Sequence, residues 1–204
     1  MIKAVFFDFG GVLAEEGFRQ GIKAIAEKSG LDPEAFFLVA EELMYQTGYV
    51  VGAGSEAAYW DALRKRTGIT AADGELRGEV LKRFVLRQEM LDYADRLKSS
   101  GIVTSILSDQ TNWLDEINAK TSFYQHFDHV FNSFTMNKSK KDQSIFRDVY
   151  LSLGFKPEEV IFVDDNINNI KRASAEGLNV IHFTGIGTFK KDIEKHIGDL
   201  LPDR

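Results

Sequence analysis

Ala4-Val5-Phe6-Phe7-Asp8-Phe9-Gly10-Gly11 is the stretch on which the reading of this chain turns. Its apolar residues run without alternation, stop on a carboxylate and give way to two glycines. A strand buried on both faces looks like this, because neither face meets water. The same grammar returns twice. Ile102-Val103-Thr104-Ser105-Ile106-Leu107 ends at Ser108-Asp109, and Val160-Ile161-Phe162-Val163 ends at Asp164-Asp165. Residues 129–132 and 179–183 are shorter, weaker strand candidates.

Helical patterns separate these runs. Met90, Tyr93, Ala94 and Leu97 lead to Ser99-Ser100-Gly101, and Ile145, Phe146, Val149, Tyr150 and Leu153 lead to Gly154, a C′ glycine. Pro157-Glu158-Glu159 opens a short turn, and residues 169–176 form a helix that stops at Gly177. Strand and helix alternate, so an α/β fold with a Rossmann-like parallel sheet is expected, with helices on both faces.

Residues 15–87 break the alternation. Phe18, Ile22 and Ile25 share a helical face, and Asp32-Pro33-Glu34 reads as a capped helix start. Ser55 caps a helix carrying Tyr59, Trp60 and Leu63, the two aromatics being expected in packing. A fourth helix is expected from about Glu75 through Val80, Leu81, Phe84 and Val85. Gly52-Ala53-Gly54 reads as a flexible loop. The expected domains are therefore an α/β core of residues 1–14 and 88–204, and a helical insert of residues 15–87.

Composition narrows the function. Of 204 residues, 25 are basic and 31 acidic, for a net charge of −6. Nucleic-acid binding needs a basic face to offset phosphates, and none is apparent. There is no cysteine, which excludes disulfides, thiolate zinc sites and a cysteine nucleophile. The four histidines show no metal-ligand spacing. No apolar run approaches the roughly 18 residues of a membrane span. The apolar stretch of residues 2–14 carries Asp8 and lacks a cleavage pattern, so it is not expected to act as a signal peptide. A cytoplasmic protein without a membrane or nucleic-acid partner is expected.

In an open α/β sheet, ligands bind beyond the carboxyl ends of the strands. Asp8, Ser108, Asp109, Asp164 and Asp165 stand there, with Lys140 in the loop after residues 129–132. Gathered carboxylates repel and raise one another's pKa. Mg²⁺ relieves that cost, since it takes one or two carboxylates with waters and substrate phosphate. A lysine and a hydroxyl beside it complete a phosphate-binding site.

Four segments stand in this order along the chain: Phe6-Phe7-Asp8-Phe9-Gly10-Gly11-Val12-Leu13, Ile106-Leu107-Ser108, Lys140 followed by Asp142 and Ile145-Phe146, and Phe162-Val163-Asp164-Asp165 up to Asn169. Together they resemble the haloacid dehalogenase-like hydrolase superfamily, in a phosphatase-like branch with a helical cap after the first strand. The resemblance implies that Asp8 is the nucleophile and forms an aspartyl-phosphate. Ser108 would hydrogen-bond the phosphoryl oxygens, with Asp109 and Lys140 also on the substrate side, and Lys140 neutralising charge. Asp8, the main-chain carbonyl of Gly10, Asp164 and Asp165 would hold Mg²⁺, and Asn169 would orient their loop. The partner so implied is a small phosphorylated metabolite.

The departures are specific. Family phosphatases carry a second Asp two residues after the nucleophile, to protonate the leaving oxygen and later activate water; here that position is Gly10. Such general acid–base help is typically worth ~10²–10⁴-fold in rate, or roughly 3–5 kcal/mol. Three outcomes are open: a good leaving group, a substitute from the insert or Asp109, or slow turnover. Lys141 also stands where proline is usual, and Asp109 where asparagine is. The alternatives to a phosphatase are a metal-independent 2-haloacid dehalogenase, a phosphonate hydrolase needing a cap lysine (Lys23 or Lys28), and a catalytically weak member that binds phosphate ligands.

Overall fold

The strands that assemble the molecule are β1 (Ala4–Phe7), β2 (Val103–Ser108), β3 (His129–Asn132), β4 (Val160–Asp164) and β5 (Asn179–His182). In this computed structural model, which describes residues 1–198, they form one parallel sheet in the order β3-β2-β1-β4-β5. Residues 199–204, the end of the expected core, lie outside the described residues. The central position of β1 explains its sequence. Val5 and Phe7 enter one apolar cluster and Ala4 and Phe6 the other, so alternate residues are buried on opposite faces.

The helices are α1 (Gly17–Lys28), α2 (Pro33–Gln46), α3 (Glu56–Thr67), α4 (Asp73–Leu81), α5 (Gln88–Ser99), α6 (Trp113–Thr121), α7 (Ser133–Met136), α8 (Ser144–Ser152), α9 (Ile167–Ala175) and α10 (Ile186–Ile197). Met90, Tyr93 and Leu97 of α5 and Phe189 and Ile193 of α10 cover the Val5–Phe7 face. Ile145, Phe146 and Val149 of α8 and Ala173 of α9 cover the other. Among the described residues no helix is long and apolar enough to cross a membrane.

Between β1 and α5 the chain is helical, as the sequence suggests. Asp32 and Ser55 cap α2 and α3 by accepting from Ala35 N at 2.7 Å and Ala58 N at 3.2 Å. Tyr59 and Trp60 are fully buried, and Trp60 stacks on Trp113 with ring centroids 5.8 Å apart. The α3 face is thus joined to the sheet-bearing part by an aromatic cluster.

Two expectations need correction. The fourth helix stops at Leu81 rather than running on to Val85. Phe84 is drawn out of helical register to pack on Phe9, and Leu86 bridges to Ala14. Tertiary contacts here override the apolar periodicity. Gly52-Ala53-Gly54 is also not a loose loop. Ala53 and Gly54 both donate to Gly48 O, and a Cβ on Gly54 would lie 2.0 Å from Thr47 O. These glycines serve close backbone approach.

Candidate active site

Parallel pairing sets the site. Phe7 stands opposite Ile106 on β2 and Val163 on β4, so Asp8 emerges beside Ser108 and Asp164. Asp8 N donates to Val163 O at 2.9 Å, which continues the ladder to the point where the chain turns away. One oxygen of Asp8 accepts from Ser108 Oγ at 2.6 Å and from Phe9 N at 2.7 Å. The other lies 2.9 Å from Lys140 Nζ.

Lys140 is 1% exposed, and its ammonium also reaches Asp164 Oδ2 at 2.7 Å. Burial opposes that charge, but Asp164, Asp8 and Asp109 outweigh it and hold the lysine above its ordinary pKa. Asp164 is fully buried and accepts from Asn166 N at 2.7 Å and from Asn169 Nδ2 at 3.1 Å. Burial pushes the Asp164 carboxyl upward, and it pushes Asp165 up to about 6, with Asp8 adding repulsion to both.

Carboxylate oxygens of Asp8, Asp164 and Asp165 come within 4.8 Å of one another. Hard oxygen donors so clustered, two of them destabilised as anions, suit a divalent oxygen-seeking cation such as Mg²⁺. Gly10 lies on the same loop as Asp8. Gly11 has φ +81°, and a Cβ there would lie 2.2 Å from Asp165 Oδ2. Gly11→Ala is therefore expected to destabilise by roughly 1–3 kcal/mol from backbone strain alone. It should also weaken cation binding by displacing Asp165. Unchanged thermal denaturation and cation titration would refute this.

The raised carboxylates carry a sign. The folded protein keeps protons on Asp164 and Asp165 that the unfolded chain releases at the ordinary carboxylate pKa, near ~4. For Asp165 this contribution to stability is complete below that value and is lost as pH rises through about 6, and Asp164 acts in the same direction. A bound cation favours the ionised forms, so the Tm increase from Mg²⁺ should grow from pH 5.5 to pH 8. An equal increase at both would mean that Mg²⁺ binds elsewhere.

All the residues expected at the site converge on it, though Asp109 does so differently. Its oxygens accept from Lys140 N at 2.8 Å and from Tyr45 OH at 3.3 Å, so it anchors the lysine loop to α2. Lys141, in the position where proline is usual, lies 3.2 Å above the Tyr45 ring. Lys23 and Lys28 pair with Glu34 and Glu79 and do not line the cavity. That cavity, about 430 Å³, runs from Asp8, Ser108 and Lys140 out to Arg19, Tyr45, Lys141 and Arg172.

Two residues escaped the sequence reading. Arg87 donates to the carbonyls of Gly11 and Val12 and pairs with Glu15, pinning the loop after Asp8 from the far end of the helical segment. Glu16 caps α1 by accepting from Arg19 N at 3.1 Å and lines the cavity beside Gly10. Burial pushes its carboxyl up to about 7, the Arg19 N–H resisting and Asp165 and Asp8 adding to the rise. The sequence signal available for Glu16 was an acid at a helix start, which by itself indicates only a cap.

The fold is an α/β one, a five-stranded parallel sheet with a cluster of carboxylates at the carboxyl ends of its strands. The haloacid dehalogenase-like hydrolase family model matches residues 2–177, and the chain belongs to that family of hydrolases. The bifunctional epoxide hydrolase 2 proteins of Rattus norvegicus and Mus musculus are each 25% identical over 99% of this chain, which spans 40% of their length. A haloacid dehalogenase family enzyme from Bacteroides thetaiotaomicron, solved with magnesium and inorganic phosphate, superposes with a TM-score of 0.68 at 22% identity, over 89% of this chain and 93% of that one. The L-2-haloacid dehalogenase of Xanthobacter autotrophicus, with chloropropionic acid covalently bound, gives 0.68 at 19% identity, over 99% and 85%. At these identities the superpositions speak for the fold.

Proposed function

We propose that this hydrolase is a Mg²⁺-dependent phosphatase of a small phosphorylated metabolite, acting through an aspartyl-phosphate on Asp8. The observation that carries the reading is the cluster of Asp8, Asp164 and Asp165 carboxylates within 4.8 Å, with Lys140 bonded to two of them. Asp8, the Gly10 carbonyl, Asp164 and Asp165 are the groups that would hold Mg²⁺, which supplies charge neutralisation and a template for the phosphoryl group when bound. The Bacteroides neighbour solved with magnesium and phosphate is consistent with this assignment.

Asp8 attacks phosphorus and the bond to the alcohol oxygen breaks. Water then attacks the same phosphorus, releasing inorganic phosphate and the Asp8 carboxylate. A carboxylate nucleophile thus divides one difficult displacement into two easier ones. Ser108 and Phe9 N hold the Asp8 carboxylate in one orientation, while Lys140, 2.9 Å from its other oxygen, offsets the phosphoryl charge. Residues 15–87 act as a cap that closes over the cavity, excludes water and selects the substrate. Asp109 acts on the substrate side through the loop of Lys140 that it anchors.

A metal-independent dehalogenase is the second reading, favoured by the missing side chain at Gly10, since halide needs no proton to leave. It gives the acidic cluster no task. The phosphonate alternative loses its support, because Lys23 and Lys28 are engaged outside the cavity. The deciding test is phosphate release from a panel of phosphate esters, acetyl phosphate and sugar 1-phosphates, with Mg²⁺ and with EDTA. Release that requires Mg²⁺ supports the phosphatase. No release from any ester, with halide freed from 2-haloacids in EDTA, overturns it.

A further inference from the structure

We propose that Glu16 is a catalytic residue of this site: its carboxyl lies against the bare position 10 and protonates the leaving oxygen from there. The inference rests on the phosphatase reading and deepens it. A Cβ built on Gly10 would lie 3.1 Å from Glu16 Oε1, and 3.6 Å from both Gln110 Nε2 and Phe84 Cε1. A Cβ at residue 10 would press on the Glu16 carboxyl, which would have to give by a few tenths of an ångström. Glu16 thus stands next to the bare position 10, on the cavity that Asp8 enters.

The carboxyl is held and yet free to react. Oε2 accepts from Arg19 N as the cap of α1, whereas Oε1 makes no hydrogen bond or ion pair among the described residues. Capping alone does not account for the residue type, because Ser, Thr, Asp and Asn are the preferred caps and have the shorter reach. The loop beneath is fixed by Leu13 N and Ala14 N donating to Phe9 O, both at 2.9 Å.

Other cavity acids are committed or remote. Asp109 uses both oxygens on Lys140 N and Tyr45 OH, and Asp164 is tied to Lys140, Asn166 and Asn169. Asp165 belongs to the cation cluster and Glu41 stands exposed at the rim. Glu16 remains, beside the nucleophile's loop.

The proton balance closes. As the Asp8–phosphorus bond forms and the ester P–O bond breaks, Glu16 gives its proton to the departing alkoxide oxygen. The Glu16 carboxylate then takes a proton from the water that attacks the aspartyl-phosphate, and the Asp8–phosphorus bond breaks. One ester and one water become one alcohol and one phosphate, with both side chains restored.

The test uses the full chain with Mg²⁺ and three probes of similar shape: p-nitrophenyl, phenyl and benzyl phosphate, whose leaving groups become steadily poorer. Glu16→Gln keeps an acceptor for Arg19 N and removes the proton. Its kcat/KM should fall ~10²-fold or more for benzyl phosphate and progressively less toward p-nitrophenyl phosphate, as loss of a general acid requires. A second variant pair guards against misfolding. Glu16→Ser retains a cap, and adding Gly10→Asp to it should recover at least a tenfold gain on benzyl phosphate. Equal losses on all three probes, or no loss, overturn the assignment to Glu16 and leave the phosphatase standing. Wild-type protein that releases phosphate from none of them overturns both.

Discussion

Asp8→Asn is expected to abolish Mg²⁺-dependent phosphate release, by at least ~10³-fold in kcat, while the protein remains folded. A carboxamide has no lone-pair anion to displace an alcohol from phosphorus, and removal of a covalent nucleophile costs this much or more in enzymes where it has been isolated. Folding should survive because asparagine preserves the volume and the oxygen that accepts from Ser108 Oγ and Phe9 N. The variant also removes one of the negative charges gathered around Lys140, so its melting temperature should be unchanged or raised. Phosphate release within tenfold of wild type would mean that the nucleophile lies elsewhere. The EDTA arm keeps the dehalogenase reading separable, since the nucleophile would be lost in both chemistries and the metal requirement in only one.

How much of this was legible beforehand follows from how local each determinant is. Strands β1, β2 and β4 declare themselves because they are buried on both faces and must be apolar throughout. Their ends declare the site because Asp8 follows β1 at once and Ser108 and Asp164 close β2 and β4. The edge strand β3 gives a weaker signal for the same reason, with His129 exposed and Val130 and Phe131 only partly covered. The capped starts of α2 and α3 are legible because a cap acts within four residues.

What was hidden is what the loop after Asp8 brings together. Nothing in a six-residue separation announces that Glu16 returns to Gly10; the turn closed by Leu13 and Ala14 on Phe9 O does that, with Arg87 clamping it from 76 residues away. The overrun of the fourth helix has the same origin. Phe84 keeps helical spacing in the sequence, yet its ring is needed against Phe9. Such a contact also explains why the apparent gap at Gly10 was readable as a departure but not as a substitution by another residue.

Lys140→Met should be the most damaging single change to the fold at this end of the sheet. Lys140 Nζ bonds Asp8 Oδ2 and Asp164 Oδ2, and its charge also faces Asp109, all inside the protein. Removing one partner of a buried ion pair strands the others and costs roughly 3–5 kcal/mol. Methionine fills the stem's volume, so this loss is electrostatic rather than a cavity effect. The carboxylates can escape it only by protonating, so the penalty should shrink on acidification. Mg²⁺ should likewise restore part of the lost stability by supplying a cation to Asp8, Asp164 and Asp165. Turnover should not return with it, because the substrate's phosphoryl group would still lack the lysine's charge. Denaturation at pH 5 and pH 8, each with and without Mg²⁺, checks the argument. A Lys140→Met protein as stable as wild type at pH 8 without metal would show that these acids are already protonated there, and that the lysine is not what holds them together.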